Sequence, residues 1–297
     1  MNNITEKTRN LTLLKSKEFE FISRLVFIFL ALLFNTIYVS AQLKIYVNTD
    51  LEGISGVFNF TQTREKGSPE NLLACEYFMD DLAAVISGLR DGGATEVVVL
   101  DGHGNQAVVP HFMIPGATYI TGRPRPGAGN LTLLDSSFAA MVMIGFHAMN
   151  GTPDGVLCHT QSSKSENRYW YNGVESGELV QNAVIAGYYG VPLVMVTGDE
   201  ATCREAHRFF GDKIVTVSTK RGLAREAAQL YPFEETRQAL YEGAKQAIQA
   251  IPNCKPYSLD FPVKAKKQYL VQDGNSPEPK VVTKEKEINH PLQILEL

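Results

Sequence analysis

Six side chains with acid or imidazole chemistry stand out for where they fall along the chain: Asp50, Glu52, His103, His147, His159 and Glu178. Carboxylate oxygens and neutral imidazoles are the donors that suit zinc or manganese in a hydrolase. Cysteine, the mark of a structural zinc knot, enters only as Cys158, the neighbour of His159. Such a set points to catalysis at a metal centre, on condition that the fold gathers it.

The elements that must do the gathering are legible in outline. Asp50 and Glu52 follow an apolar run at 43–48 (LKIYVN), which reads as a buried first strand. Residues 96–100 (EVVVL) form a second strand and deliver His103 between two glycines. Residues 140–146 (AMVMIGF) form a third and deliver His147, and a fourth at 191–197 ends in Asp199 and Glu200. Ser68 as cap with Pro69 behind it opens a helix. Apolar Leu72, Cys75, Phe78, Met79, Leu82, Val85, Ile86 and Leu89 follow at helical spacing, and Gly92-Gly93 closes the run. A second helix at about 176–189 carries Glu178 in its first turn. This alternation predicts an α/β fold, a three-layer α/β/α arrangement around a largely parallel sheet. Ligands in such sheets bind beyond the carboxyl ends of the strands, where the groups at 50/52, 103 and 147 lie.

Each residue also has an ordinary use. Asp50 before a turn can serve as a cap, although positions i and i+2 on an extended strand end point the same way. His103 can be a turn residue, yet its glycines allow close backbone approach to a ligand. His147, ending a core strand, needs partners for its ring nitrogens. Glu178 complements the helix dipole. Asp199 and Glu200 either back the site or start the next helix, and Lys220 and Arg221 bind a substrate carboxylate or an acid on the surface. A Pro/Gly-rich loop at 123–130 walls the site or meets a neighbouring subunit. His111, His207 and His290 have no comparable setting.

Beyond residue 212 the character changes to a strand at 213–218, helical stretches at about 222–230 and 233–251, and a polar tail with strand-like alternation at 280–288. The expected organisation is a signal peptide at 1–41, a catalytic α/β domain at 42–212 and a smaller α+β C-terminal portion at 213–297. The apolar run 25–39 follows Lys15, Lys17 and Arg24 and ends in Val-Ser-Ala41, the pattern of a secretory signal cleaved after about Ala41. Interrupted by Asn35 and Thr36, it falls short of the roughly 20 apolar residues that span a bilayer. A periplasmic or secreted protein with no stable membrane anchor is expected. The net charge of −4 makes nucleic acid a poor partner. Four cysteines without CxxC spacing give no finger or redox motif, and Cys75 on an apolar helix face reads as a small buried hydrophobe.

The run Asp50-Leu-Glu-Gly-Ile-Ser-Gly56, with Asp101-Gly-His103, Gly145-Phe-His147-Ala, Cys158-His159 and Gly177-Glu178, resembles the zinc D-aminopeptidases of the dipeptide-utilisation type. The similarity continues through 186–199 and spans 43 to about 235. It implies two zinc ions per subunit, with Asp50 bridging and Glu52, His103, His147 and Glu178 completing the metal ligands. His159 matches the family's catalytic histidine. The resemblance also implies a small peptide substrate such as D-Ala-D-Ala, attack by a metal-activated water, and homo-oligomeric rings. Two other readings stand beside it: another dinuclear amidase or hydrolase, and a non-catalytic exported peptide-binding protein, which would be expected to lack ligands that are all present here.

Overall fold

The computed structural model describes residues 21–24, 42–126, 130–272 and 278–297. Residues 43–297 make one compact unit, and the chain before it is described only at 21–24, which are helical, and at 42. The signal-peptide segment therefore lies outside the described residues apart from those four. No helix among the described residues is long and apolar enough to cross a membrane.

The apolar runs become the strands of a seven-stranded sheet. In chain order these are β1 (Lys44–Thr49), β2 (Glu96–Asp101), β3 (Thr118–Ile120), β4 (Ala140–Ile144), then β7 (Leu193–Asp199), β8 (Val215–Ala224) and β9 (Ala227–Leu230). Their spatial order is β3-β2-β1-β4-β7-β8-β9, parallel throughout except for β9. Alternate residues feed two cores. Ile45, Val47, Val97, Val99, Val142 and Ile144 face one side, and Tyr46, Val98, Leu100, Met141 and Met143 face the other. A sheet buried on both faces needs such unbroken hydrophobic runs.

The first core is roofed by α2 (Pro69–Asp91) and α5 (Phe233–Ala250), which contribute Phe78, Leu82, Val85, Leu240 and Ala244. Ser68 caps α2 by accepting from Asn71 N at 3.1 Å, with Pro69 in the first helical position. The second core lies under α3 (Glu178–Tyr188), α4 (Glu200–Phe210) and a four-stranded antiparallel sheet. That second sheet has the order β11-β10-β5-β6, built from β5 (Arg168–Tyr171), β6 (Val174–Glu175), β10 (Val263–Val271) and β11 (Lys280–Ile288). All four cysteines are free, and Cys75 is buried.

One element differs from expectation. Residues 222–230 are not helical; they form the β8–β9 hairpin, whose register carries Lys220 opposite Leu230 and Gly222 opposite Ala228. Alanine-rich composition favoured a helix locally, but pairing of β8 along β7 extends the strand and overrides that weak preference. The strand expected at 213–218 accordingly completes the parallel part of the main sheet.

What places the first acids is the turn after β1. Asp50 N donates to Ile144 O at 2.8 Å and Gly53 N to Gly145 O at 2.7 Å, so the turn docks onto the end of β4. Gly145 has φ +71°, and a Cβ there would collide with Asp50 O and Ile54; only glycine allows the approach. From beneath, Lys220 is fully buried and donates from Nζ to Glu52 O at 2.7 Å and Ile54 O at 2.8 Å. The sequence left Lys220 as a carboxylate binder, and the structure instead makes it the support of the Glu52 turn. Burial lowers its pKa to about 8. Arg221, its neighbour, remains on the surface, 3.9 Å from Glu200.

Asp81 of α2 sits under the same turn, accepting from Ser55 N at 2.9 Å, with Arg237 3.7 Å away. Burial raises its pKa to about 6, against the lowering effect of the Ser55 bonds and of Arg237. Stability from protonated Asp81 is therefore complete below about pH 4 and lost as pH rises through about 6, roughly 3 kcal/mol in all. Urea unfolding from pH 4 to 7 should show wild-type stability falling relative to Asp81→Asn across that window. A constant difference would reject this role for Asp81.

Candidate metal centre

The six residues singled out in the sequence converge. Asp50 and Glu52 leave β1, His103 leaves β2 and His147 leaves β4, three strands that are neighbours in the sheet. Glu178 is the first residue of α3, and His159 arrives on the loop that follows His147. Asp50, Glu52, His103, His159 and Glu178 line a cavity of about 520 Å³. His147 lies beneath them, 2% exposed.

Asp50 is the hinge of the arrangement. Its Oδ1 is 2.9 Å from His103 Nδ1 and its Oδ2 3.3 Å from His147 Nε2. Glu52 Oε2 is 3.3 Å from the same His103 nitrogen. On the other side, Glu178 Oε1 is 3.5 Å from His147 Nε2 and 4.0 Å from His159 Nε2. The rings of His147 and His159 stack with centroids 3.9 Å apart. Two groups of atoms thus cluster within 4.8 Å, one of Asp50, Glu52 and His147 and one of His147, His159 and Glu178.

Backbone carbonyls set which nitrogen of each ring faces the acids. His103 Nε2 donates to Thr63 O at 3.0 Å, His147 Nδ1 to Ala148 O at 3.0 Å and His159 Nδ1 to Leu157 O at 2.8 Å. In each neutral ring the remaining nitrogen is then an acceptor. These acceptors point at carboxylate oxygens, which are acceptors as well, and such pairs attract only through a proton or a cation. Glu52 Oε2 and His147 Nε2 indeed have no hydrogen-bond partner although both are buried. Outward N–H groups spent on carbonyls, with inward lone pairs left free, are the usual setting of metal-ligating histidines. The residues present fit a divalent cation.

The proton equilibria follow from that confrontation. Burial would raise Asp50, but bonds and charge from His103 and His147 together outweigh it and hold its carboxyl well below the carboxylate range. His103 is driven well above 6.5 against its burial by Glu52 and Asp50. His147, also against its burial, is raised to about 10 by Asp50, Glu178 and Glu52. Burial raises Glu178 to about 7, with His147 opposing. His159 is lowered to about 3 by burial and by the charge on His147. Protons thus collect on the imidazoles that face two carboxylates.

Surrounding groups fix the loops. Asp199, the N-cap of α4, accepts from Thr202 N at 2.8 Å and from Val156 N at 2.6 Å, so it both starts its helix and anchors the approach to His159. Glu205 Oε2 accepts from Met149 N at 2.8 Å and steadies the chain after His147. The short helix α1 (Phe60–Arg64) supplies the Thr63 carbonyl under His103 and escaped the sequence reading. Its signal was the pair Asn59 and Gln62, a capping box in which each side chain bonds the other's backbone N–H. The loop at 123–130 does border the cavity, through Arg123, Arg125 and Asn130. Of the remaining histidines, His207 contacts Thr216, His290 caps a single turn and His111 is exposed.

Known proteins resemble this chain in sequence and fold. A D-aminopeptidase from Bacillus subtilis (strain 168) is 29% identical over 217 residues, 72% of this chain and 77% of that protein. A solved structure described as the Zn-dependent D-aminopeptidase DppA from Bacillus subtilis, a self-compartmentalizing protease, superposes with a TM-score of 0.75. It is 24% identical to this chain, and the match covers 86% of this chain and 94% of the other. That likeness establishes a common fold. The model of the D-aminopeptidase family matches residues 43–273, a stretch that includes both clusters of acids and imidazoles. Carrying that match over most of its length, the chain belongs to the D-aminopeptidase family of metallopeptidases.

Proposed function

We propose that this protein is an exported zinc aminopeptidase that hydrolyses short peptides with N-terminal D-residues, such as D-Ala-D-Ala, at a centre of two ions per subunit. The observation that carries the proposal is the confrontation of buried acceptors, carboxylate oxygens against imidazole lone pairs, where three adjacent strands end. In this reading Asp50, with one oxygen toward His103 and the other toward His147, would hold both ions. Glu52, His103, His147 and Glu178 complete the ligands.

Zinc, when bound, lowers the pKa of a coordinated water to about 7 and polarises the scissile carbonyl. The chain's own groups do the rest. Glu178, at the cavity edge, makes this the acidic end of the cavity, toward which the substrate's amino end is drawn. His159, its Nδ1–H committed to Leu157 O, keeps Nε2 toward the cavity to move a proton from the attacking water to the leaving amine. Its stacking on His147 holds the ring in line. Two further parts rest on likeness and on residues outside the structural description: assembly into a homo-oligomeric ring, motivated by the self-compartmentalizing relative, and release as a periplasmic or secreted protein after cleavage near Ala41.

His159→Ala should retain both zinc ions by metal analysis and lose about a hundredfold or more in kcat. Loss of zinc in that variant would make His159 a ligand instead. Asp50→Ala should lose metal and activity together, and an unchanged metal content removes it as a ligand. The zinc-loaded protein should cleave D-Ala-D-Ala, fall silent with chelator and leave L-Ala-L-Ala largely intact; cleavage of the L form alone would sink the D-aminopeptidase reading. N-terminal sequencing of the protein recovered outside the cytoplasm should begin near Gln42, and an intact N-terminus there counts against processing.

A further inference from the structure

The cavity over the acids and histidines carries unneutralised positive charge on another part of its wall. Arg123, Arg125 and Asn130 line it and also line an adjoining cavity of about 550 Å³, so they stand where the two spaces meet. Each guanidinium spends an N–H on the backbone that leads into His103. Arg125 Nη1 donates to Asp101 O at 2.6 Å, and Arg123 Nη2 to Gly102 O at 3.3 Å. Both acceptors are neutral carbonyls. The acid that acts on Arg125 electrostatically is Asp101, and its carboxylate is already engaged, accepting from Ala107 N, Val108 N and Thr121 Oγ1.

Among the described residues neither arginine forms an ion pair, whereas Arg168, Arg204, Arg225 and Arg237 all do. Arg125 is also partly buried, and its pKa is lowered by that burial and by the charge of Arg123. Two cations that crowd each other in a half-enclosed place are costly unless an anion joins them. A guanidinium has five N–H donors in a planar fork that matches a carboxylate. Of the other cations at the wall, Arg64 is already committed to Ser163 and stacks on Phe60, and Lys164 is an exposed single ammonium without the paired forks of the two arginines.

We propose that Arg123 and Arg125 form the subsite for the C-terminal carboxylate of a short peptide, so that the enzyme selects substrates with a free carboxyl end. This rests on the aminopeptidase reading above, in which the opposite, ammonium end of the peptide lies among the acids. A substrate held at both ends is limited in length to what the one cavity lined by both sets can span. The two arginines are then specificity-determining residues for dipeptide-sized ligands rather than part of the proton chemistry.

The test compares D-Ala-D-Ala with its C-terminal amide, which differs only in lacking the anion. The zinc-loaded wild type should prefer the acid by about tenfold or more in kcat/KM. In the Arg123→Met/Arg125→Met double variant, kcat/KM for the acid should fall about 10- to 100-fold, chiefly through KM, while that for the amide moves less than about threefold. Arg123→Lys/Arg125→Lys should recover part of the loss. Because Arg125 also holds Asp101 O, zinc content and thermal midpoint are measured alongside, and the exposed Arg123→Met alone should show a smaller loss of the same kind. Equal cleavage of acid and amide by the wild type overturns the subsite while leaving the aminopeptidase reading intact, and a parallel loss on both substrates in the variants does the same. Cleavage of neither compound by the wild type overturns both.

Discussion

The structure is organised around an unfavourable encounter: carboxylate oxygens and imidazole lone pairs, all acceptors, buried against one another where a parallel sheet ends. Left without positive charge such a cluster would repel itself apart. Burial at once strengthens the demand and narrows what can meet it, because among the described residues no lysine or arginine pairs with these acids. The remaining candidates are protons or metal ions. The carbonyls of Thr63, Ala148 and Leu157 are as important as the acids, since they turn each ring so that its lone pair faces inward.

The scaffold is built to sustain that encounter. Asp50 and Glu52 could swing apart on a free loop, but their turn is bonded above to β4 and below to Lys220, and the close approach at Gly145 leaves no slack. Lys220 also places a buried positive charge behind the acids, on the side away from the cavity. Asp199 and Glu205 extend the same principle outward, each spending its carboxylate on a backbone N–H of a loop that carries a histidine. The rigidity of the centre thus comes from side chains bonding to main chain, a less mobile partner than another side chain.

Much of this was legible in the sequence because parallel strands buried on both faces announce themselves as short apolar runs, and because ligands gather at their carboxyl ends. Asp50, Glu52, His103 and His147 could be placed together on that ground. His159 and Glu178 could not, since a loop and a helix start have no periodicity that says where they dock, and they entered through motif likeness. Lys220 was misread because a buried lysine looks the same in sequence as a surface one; only the carbonyls of Glu52 and Ile54 reveal its use. The helix expected at 222–230 failed for a related reason: local alanine content says nothing of the β7 edge against which the strand is drawn out. Of the antiparallel sheet only the alternation at 280–288 was legible, because its central pairing joins residues nearly a hundred apart, Tyr171 with Ala265.

The order of strands in the main sheet has a consequence for how the centre comes into being. β1 lies between β2 and β4, and its pairing with β4 joins residues nearly a hundred apart, Ile45 with Ala140. No contiguous piece of the chain contains the whole arrangement, and closing such distant pairings is slow. The nascent protein therefore offers a passing ion only scattered, weak donors. The donors meet only when β1 is paired on both sides, so a cation that fits them binds the folded arrangement and is linked to its stability.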